Sequence, residues 1–306
     1  MSFNINTSLL TEHYELKSKD ISTQSVLGAT TANLLFSTGN FQLGKPGQVP
    51  ILKLDSTITL QEGGCGRTPS NTITPSNTFM VIKAIKSEEN ICPKDLYGSY
   101  FAGFVAAGQD PESETILPEL ASKISDKKIG DYQRVVENLI WHGDTTLTGS
   151  SNLKFIDGFV RQITVGGTAS YISTSTTATT AKERLQAAFS KMPVEISSQE
   201  DFRIFCGIDM YNQYLLEIAN ANFFMKPDET TVLGTTAKLV PTLGLNNSKE
   251  IVSLRLSNTQ IGMDLQGEES KATLEFAKEQ KMWMHDIETS IGVKVIRTNE
   301  VGYVKY

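Results

Sequence analysis

The sequence predicts an α+β fold on three observations. Apolar and polar residues alternate from Leu52 to Gln61, apolar residues recur at three-and-four spacing from Leu117 to Ile140, and a strand-then-helix unit at Phe202–Ala219 precedes a strand-rich tail. Period two is the signature of a strand with one wet face. The three-and-four spacing lays apolar side chains along one side of a helix.

Bulk properties set the bounds. The chain of 306 residues, 39% apolar and 20% charged, can bury a sizeable core as one large domain or two modest ones. No run approaches the roughly 18 apolar residues of a membrane span. The N-terminus Met1-Ser2-Phe3-Asn4 lacks the basic and apolar regions of a secretory signal, so the protein is expected to act where it is made or to be released by lysis. A net charge of -6 argues against a surface built to neutralise many phosphates. The odd count of widely spaced cysteines, Cys65, Cys92 and Cys206, fits reduced thiols better than a disulfide framework.

Residues 1–47 are rich in Ser, Thr and Asn and end in Gly39-Asn40 and Gly44-Lys45-Pro46-Gly47, which reads as an extended arm. Its apolar positions, Leu9, Leu10, Val26, Leu27, Leu34, Leu35 and Phe36, are too many for a solvated tail and are expected to lie along a surface, such as a neighbouring copy's. Residues 48–86 form a hairpin. Leu52, Leu54, Ile58 and Leu60 give its first strand and Phe79–Ile85 its second, and the stretch of turn chemistry from Glu62 to Pro75 between them is too long for a tight loop. Long loops of this kind are usually functional.

An aromatic segment, Leu96–Val105, leads through Gly108-Gln109-Asp110-Pro111 to one long helix over about residues 117–142. At 1.5 Å per residue the rod is roughly 39 Å long. Gly143 stands where a left-handed C-terminal cap belongs, and Gly130 within the helix marks a bend or close packing. Thr164–Thr180 reads as a flexible connection or a polar β-excursion. A capping box at Thr180–Glu183 then opens a helix reaching Met192, a buried strand follows at Phe202–Ile208, and Asp209 caps a helix carrying Leu215, Leu216, Ile218 and Ala219. Strand-like runs fill the rest: Leu239–Pro241, Ile251–Leu256, Ile261–Leu265, Val293–Ile296 and Val301–Val304. Residues 271–291 suit both a helix, through Leu274, Lys278 and Lys281, and a strand, through Trp283, His285, Ile287, Thr289 and Ile291.

Chemistry is sparse. With only His13, His142 and His285, the chain is poor in the commonest acid, base and metal ligand. Cys65 within Gly63-Gly64-Cys65-Gly66 could act as a nucleophile only with a partner such as His142 or His285, and a cysteine at a loop tip needs no such role. His142 and Asp144 have the look of a metal pair, but a helix C-terminus accommodates a histidine without metal. No phosphate-cradling, dinucleotide, zinc-protease or paired-cysteine motif is present. No catalytic, metal or cofactor site is therefore expected. Trp141 and Trp283 read as core or interface anchors.

Three segments carry a resemblance: Glu137-Asn138-Leu139-Ile140-Trp141-His142-Gly143-Asp144, Leu153-Lys154-Phe155-Ile156-Asp157-Gly158-Phe159, and Ile291–Val301. With the order of parts, they resemble the major capsid proteins of tailed bacteriophages, in particular of phages infecting the Bacteroidetes. The resemblance covers nearly the whole chain and implies a Hong Kong 97-type fold. It divides the chain into an N-terminal arm (1–47), an E-loop hairpin (48–86), a P-domain with the long spine helix (87–163), an A-domain (164–250) and C-terminal strands returning to the P-domain (251–306). It implies self-assembly into pentamers and hexamers of an icosahedral shell around double-stranded DNA, held non-specifically. The expected partners are a portal protein and a separate scaffold or decoration protein, with no membrane. The protein would be assembled in the host cytoplasm and reside in the virion. Intersubunit contacts are expected at Cys65, Arg67 and Pro69 in the hairpin tip and at Leu34, Leu35 and Phe36 in the arm. An encapsulin shell of the same fold, a Cys65-dependent hydrolase and a phage tail module are the competing readings.

Overall fold

The structure is a computed structural model that describes residues 18, 20–63, 65, 69–92, 116–165, 171–174, 178–221, 231–264, 271–277, 279, 280 and 282–306. Leu9, Leu10, His13, Arg67, the 96–105 segment and the 108–111 turn lie outside them. Two sheets share one long helix between them.

The first correction concerns the arm. Residues 20–27 (α1) and Thr30–Ser37 (α2) are helical rather than extended. Val26, Ala29, Ala32 and Leu35 recur every third residue and are all buried, so these segments fold onto their own core. The Ser- and Thr-rich composition hides this face because polar residues, Ser22, Ser25 and Thr31, are buried beside the apolar ones.

The six-stranded sheet has the order β1-β8-β10-β3-β2, with β9 also on β10. Its strands are β1 (Phe41–Leu43), β2 (Gly47–Thr57), β3 (Thr72–Ile91), β8 (Thr259–Met263), β9 (Lys271–Ala277) and β10 (Met282–Val295). Residues 271–277 and 282–291, open to either reading from sequence, are thus strand β9 and most of β10. Trp283, His285 and Ile287 are buried on alternate positions. The 20-residue β3 divides its pairing, with residues 72–82 bonded to β2 and residues 83–91 to β10.

Helix α3 spans Ile116–His142, as its periodicity predicts. Gly130 is exposed with no atom near its Cβ position, so it marks neither close packing nor a contact. Gly143 is required for a different reason from the left-handed cap. Its φ is not among the positive ones, and a Cβ there would lie 2.4 Å from the Ile156 carbonyl oxygen and 2.6 Å from that of Leu139. Gly158 is the reciprocal case, with a Cβ landing 2.6 Å from Gly143 N and 2.6 Å from Trp141 O. Two backbones touch here, joined by the bond from Gly158 N to Gly143 O at 2.8 Å. The short helix α4 (Phe159–Thr164) starts from this contact.

The five-stranded sheet runs β4-β11-β7-β5-β6 through β4 (Tyr171–Thr174), β11 (Gly302–Lys305), β7 (Glu250–Arg255), β5 (Phe202–Gly207) and β6 (Lys238–Thr242). A division at residue 250 cuts through this sheet, since β7 pairs with β5 and β11 with β7 while β8 and β10 return to the first sheet. One face, with Phe205, Val252 and Tyr303, joins the core around α3. The other, with Ile204, Cys206 and Val304, packs on α5 (Ala181–Ser190) and α7 (Ile208–Asn220). The Thr180–Glu183 capping box opens α5 as expected, and α6 (Val194–Ser197) follows Pro193. Gly207, not Asp209, is the N-cap of α7. That helix buries Met210, Tyr214 and Ile218 while Leu216 is 63% exposed.

The backbone contact at Gly158 gives a direct test. Gly158→Ala forces backbone apart and is expected to cost about 1–3 kcal/mol or more in urea unfolding. Gly130→Ala, in open space within a helix, is expected to add up to about 1 kcal/mol. Equal midpoints for the two variants would contradict this packing.

Candidate assembly surface

The β2–β3 hairpin has two chemically different sides, fixed by its register. Thr72–Ile82 pairs with Gly47–Thr57, placing Pro50 opposite Phe79, Leu52 opposite Asn77, Leu54 opposite Pro75 and Ser56 opposite Ile73. Directly opposed residues share a face. One side therefore gathers Leu52, Leu54, Ile73, Phe79 and Val81, with exposures of 61%, 51%, 72%, 53% and 44%. The other carries Lys53, Asp55, Thr57, Thr72, Thr74 and Ser76 beyond a small apolar base of Ile51, Met80 and Ile82.

The polar side is the one that rests on its own subunit. Arg297 Nη2 donates to Leu54 O at 2.6 Å and to Asp55 Oδ1 at 3.3 Å, and Arg297 also pairs with Glu300. Lys53 lies 3.2 Å from Asp55, and its hydrogen bond is the main influence holding that carboxyl below its usual range. The apolar side faces away. At its root, Phe79 and Val81 border a cleft of about 330 Å³ against Phe155 and Val293, so the apolar surface continues onto the body. A contiguous apolar patch of this kind on a chain with an otherwise ordinary surface marks an interaction site.

Beyond the strands the tip is zipped by polar side chains. Thr57 and Thr72 hydroxyls lie 2.9 Å apart, Thr59 N donates to Asn71 Oδ1 at 2.6 Å, and Gln61 Nε2 donates to Ser70 Oγ at 2.8 Å. Ile58 and Leu60 project from it with 77% and 91% exposure. Cys65 and Pro69 are exposed at this tip.

The arm residues behave differently. Leu35 is 1% exposed within the subunit's own core, and Leu34 and Phe36 pack partly buried against the same cluster. Leu35 therefore has little surface to offer a neighbouring copy, whereas Leu34 and Phe36 keep part of theirs. The residues that reasoning from sequence missed are Ile73, Phe79 and Val81. Phe79 and Val81 read as ordinary strand chemistry, and Ile73 as part of the tip loop, until the pairing register places them beside Leu52 and Leu54.

Behind the hairpin, a polar node ties α2 to the end of α3. Glu137 is 1% exposed. Its Oε2 accepts from Thr31 N at 3.0 Å and its Oε1 from Thr31 Oγ1 at 2.5 Å, while Trp141 Nε1 donates to Thr31 Oγ1 at 2.9 Å. Ala29, the N-cap of α2, has no side-chain cap, so the Glu137 carboxylate occupies the positive end of that helix from across the interface. Burial pushes the Glu137 carboxyl above its usual range against the opposing pull of the Thr31 bonds. Trp141 packs edge-on to Phe159 at 5.4 Å and against Phe205 at 5.1 Å, joining helix and second sheet.

The described residues do not bring together the Cys65 and histidine side chains that a nucleophile would need. His285 is 2% exposed and pairs across strands with Glu89, which is 17 residues along β3 from Thr72 at the base of the tip. At about 3.3 Å per residue, that puts it on the order of 50 Å from the Cys65 loop. His142 instead lies 3.7 Å from Glu250 through Nδ1. A Cys65–His285 nucleophile pair is therefore excluded by geometry. Among the described residues no group of three or more His, Cys, Asp or Glu side chains is placed to hold a metal ion, and no helix is long and apolar enough to cross a membrane.

The sequence matches no protein-family model and no curated protein. Its fold, however, has solved counterparts. A chain of the satellite phage P4 procapsid including size determination (Sid) protein aligns with a TM-score of 0.57 at 12% identity, covering 90% of this chain and 89% of that one. A chain of Mycobacterium phage Cain gives 0.55 at 10% identity with 90% of each covered. A chain of the capsid of Myoviridae phage XM1 gives 0.51 at 15% identity, covering 89% and 91%. The α+β fold is thus shared over nearly the whole chain with tailed-phage capsid structures.

His285 supplies a pH test of the first sheet. Burial, reinforced by Lys128 and opposed by Glu89, lowers its pKa from 6.5 to about 4. The unfolded chain then binds the extra proton between these values, so stability present above pH 6.5 is lost as pH falls toward 4. The loss expected from this group is about 2–3 kcal/mol. Urea midpoints between pH 7 and 4.5 are expected to fall less steeply in His285→Gln than in the parent, and parallel profiles would refute the assignment.

Proposed function

We propose that this chain is the major capsid protein of a tailed bacteriophage, and that it assembles with copies of itself into the pentamers and hexamers of an icosahedral head. One observation carries the proposal: a hairpin that presents its apolar side to solvent, on a fold shared with phage capsid structures. A lone subunit leaves Leu52, Leu54, Ile73, Phe79 and Val81 wet, at a cost of roughly 25 cal/mol for each Å² of apolar surface. Another copy of the same chain removes that cost, because a closed shell offers every hairpin the same neighbouring surface.

In this reading the six-stranded half with α3 plays the P-domain and the five-stranded half the A-domain. The hairpin is the E-loop. Cys65, Arg67 and Pro69 at its tip meet the neighbouring copy, where an arginine can pair with carbonyl or carboxylate oxygens. The role is structural and needs no cofactor or catalytic group. A portal protein and a separate scaffold or decoration protein complete the partner set. Double-stranded DNA is held inside by confinement, in keeping with the net charge of -6. Assembly takes place in the host cytoplasm, and the product is the virion.

The apolar side of the hairpin separates folding from assembly. The double variant Leu52→Lys with Leu54→Lys changes side chains already exposed, so its unfolding midpoint is expected to stay within about 0.5 kcal/mol per site of the parent. Its sedimentation profile is expected to lose the shell fraction entirely. Shells at parental yield would remove the hairpin from the interface, and an unfolded variant would mean that the face is buried within the subunit.

A further inference from the structure

A second polar feature lies apart from the hairpin, in the cleft between α1 and the first half of α3. The space measures about 250 Å³ and is lined by Asp20 and Gln24 from α1 and by Ser122, Ser125 and Asp126 from α3, over a floor of Ile21 and Ile129. Among the described residues its lining holds two carboxylates and no basic residue. Lys127, the chain neighbour of Asp126, is engaged with Asp131 at 3.0 Å.

An independent observation points to a ligand. Ser125 is 5% exposed and lines the cleft, and its hydroxyl is buried without a hydrogen-bond partner. A buried hydroxyl left unpaired costs about 1–3 kcal/mol, so such groups are normally satisfied by protein, water or an ion. The other end of α1 is already tied to α3, where Gln133 Nε2 donates to Gln24 O at 2.9 Å and lies over Gly28. At the Asp20 end, like charges face a polar space.

We propose that this cleft binds a hard divalent cation, Mg²⁺ or Ca²⁺, that retains part of its water shell. Carboxylate, hydroxyl and amide oxygens are the donor set such cations select. At roughly 30 Å³ per water, the space admits the ion with several waters. With two carboxylates rather than a full protein cage, the affinity belongs in the weak range, on the order of 10⁻⁴–10⁻³ M. The ion would offset the Asp20–Asp126 repulsion, give the Ser125 hydroxyl a partner through its water shell, and fasten α1 to α3.

Mn²⁺ serves as the probe, with its electron paramagnetic resonance signal reporting the free ion over the intact chain. The parent is expected to bind about one Mn²⁺ per chain, displaceable by Mg²⁺ or Ca²⁺ but not by KCl at equal ionic strength. Asp20→Asn and Asp126→Asn are expected each to weaken binding about tenfold, and Asp131→Asn to leave it unchanged. Parental affinity in Asp20→Asn, or no Mn²⁺ bound by the parent at 10 mM, an order-of-magnitude ceiling for such a site, would overturn the proposal. Asp20 is exposed, so its variant decides the matter even if Asp126→Asn fails to fold.

Discussion

The division of β3 between two partners is the constraint on which the rest of the architecture depends. Its second half, residues 83–91, is bonded to β10 inside the first sheet, while its first half, residues 72–82, pairs with β2 and runs out from the body. Strand alternation then admits no compromise. Once Met80 and Ile82 point inward, Phe79 and Val81 must take the opposite face, and the antiparallel register brings Leu52 and Leu54 to that same side. A one-residue slip would bury that row only by expelling the other.

The second joint lies where α3 ends. Gly143 and Gly158 allow two backbones to touch, and Trp141 fills the space between helix, α4 and the five-stranded sheet. Gly244 belongs to the same joint, since a Cβ there would come within 2.3 Å of Trp141 Cδ1. Glu137 completes it by capping α2. The hairpin is thus carried by the first sheet, while the second sheet is keyed to the same helix through Trp141 and, beside it, the His142–Glu250 contact. That arrangement suits a subunit whose protruding part must hold its direction against neighbours.

Much of this was legible in the sequence. The long helix, the hairpin, the capping box and the C-terminal strands follow from periodicity and local turn chemistry, which are properties of neighbours along the chain. The helices of residues 20–37 were obscured because the apolar face of Val26, Ala29, Ala32 and Leu35 sits within Ser- and Thr-rich sequence. The strands at 271–291 stayed ambiguous because Leu274, Lys278 and Lys281 mimic helical spacing, and only pairing of β9 with β10 resolves them. The assembly face depended on register across the hairpin, which no local pattern specifies. Alternating leucines announced a dry side, but sequence could not say that the subunit itself leaves it wet.

The central claim is that the apolar side of the hairpin is covered by another copy of the same chain. Electron cryomicroscopy of particles formed by the expressed protein, with and without a co-expressed scaffold, tests it most directly. The account predicts closed icosahedral shells in which Leu52, Leu54 and Phe79 lie against a neighbouring subunit. Discrete monomers or dimers under both conditions, or shells in which those side chains face solvent, would contradict it.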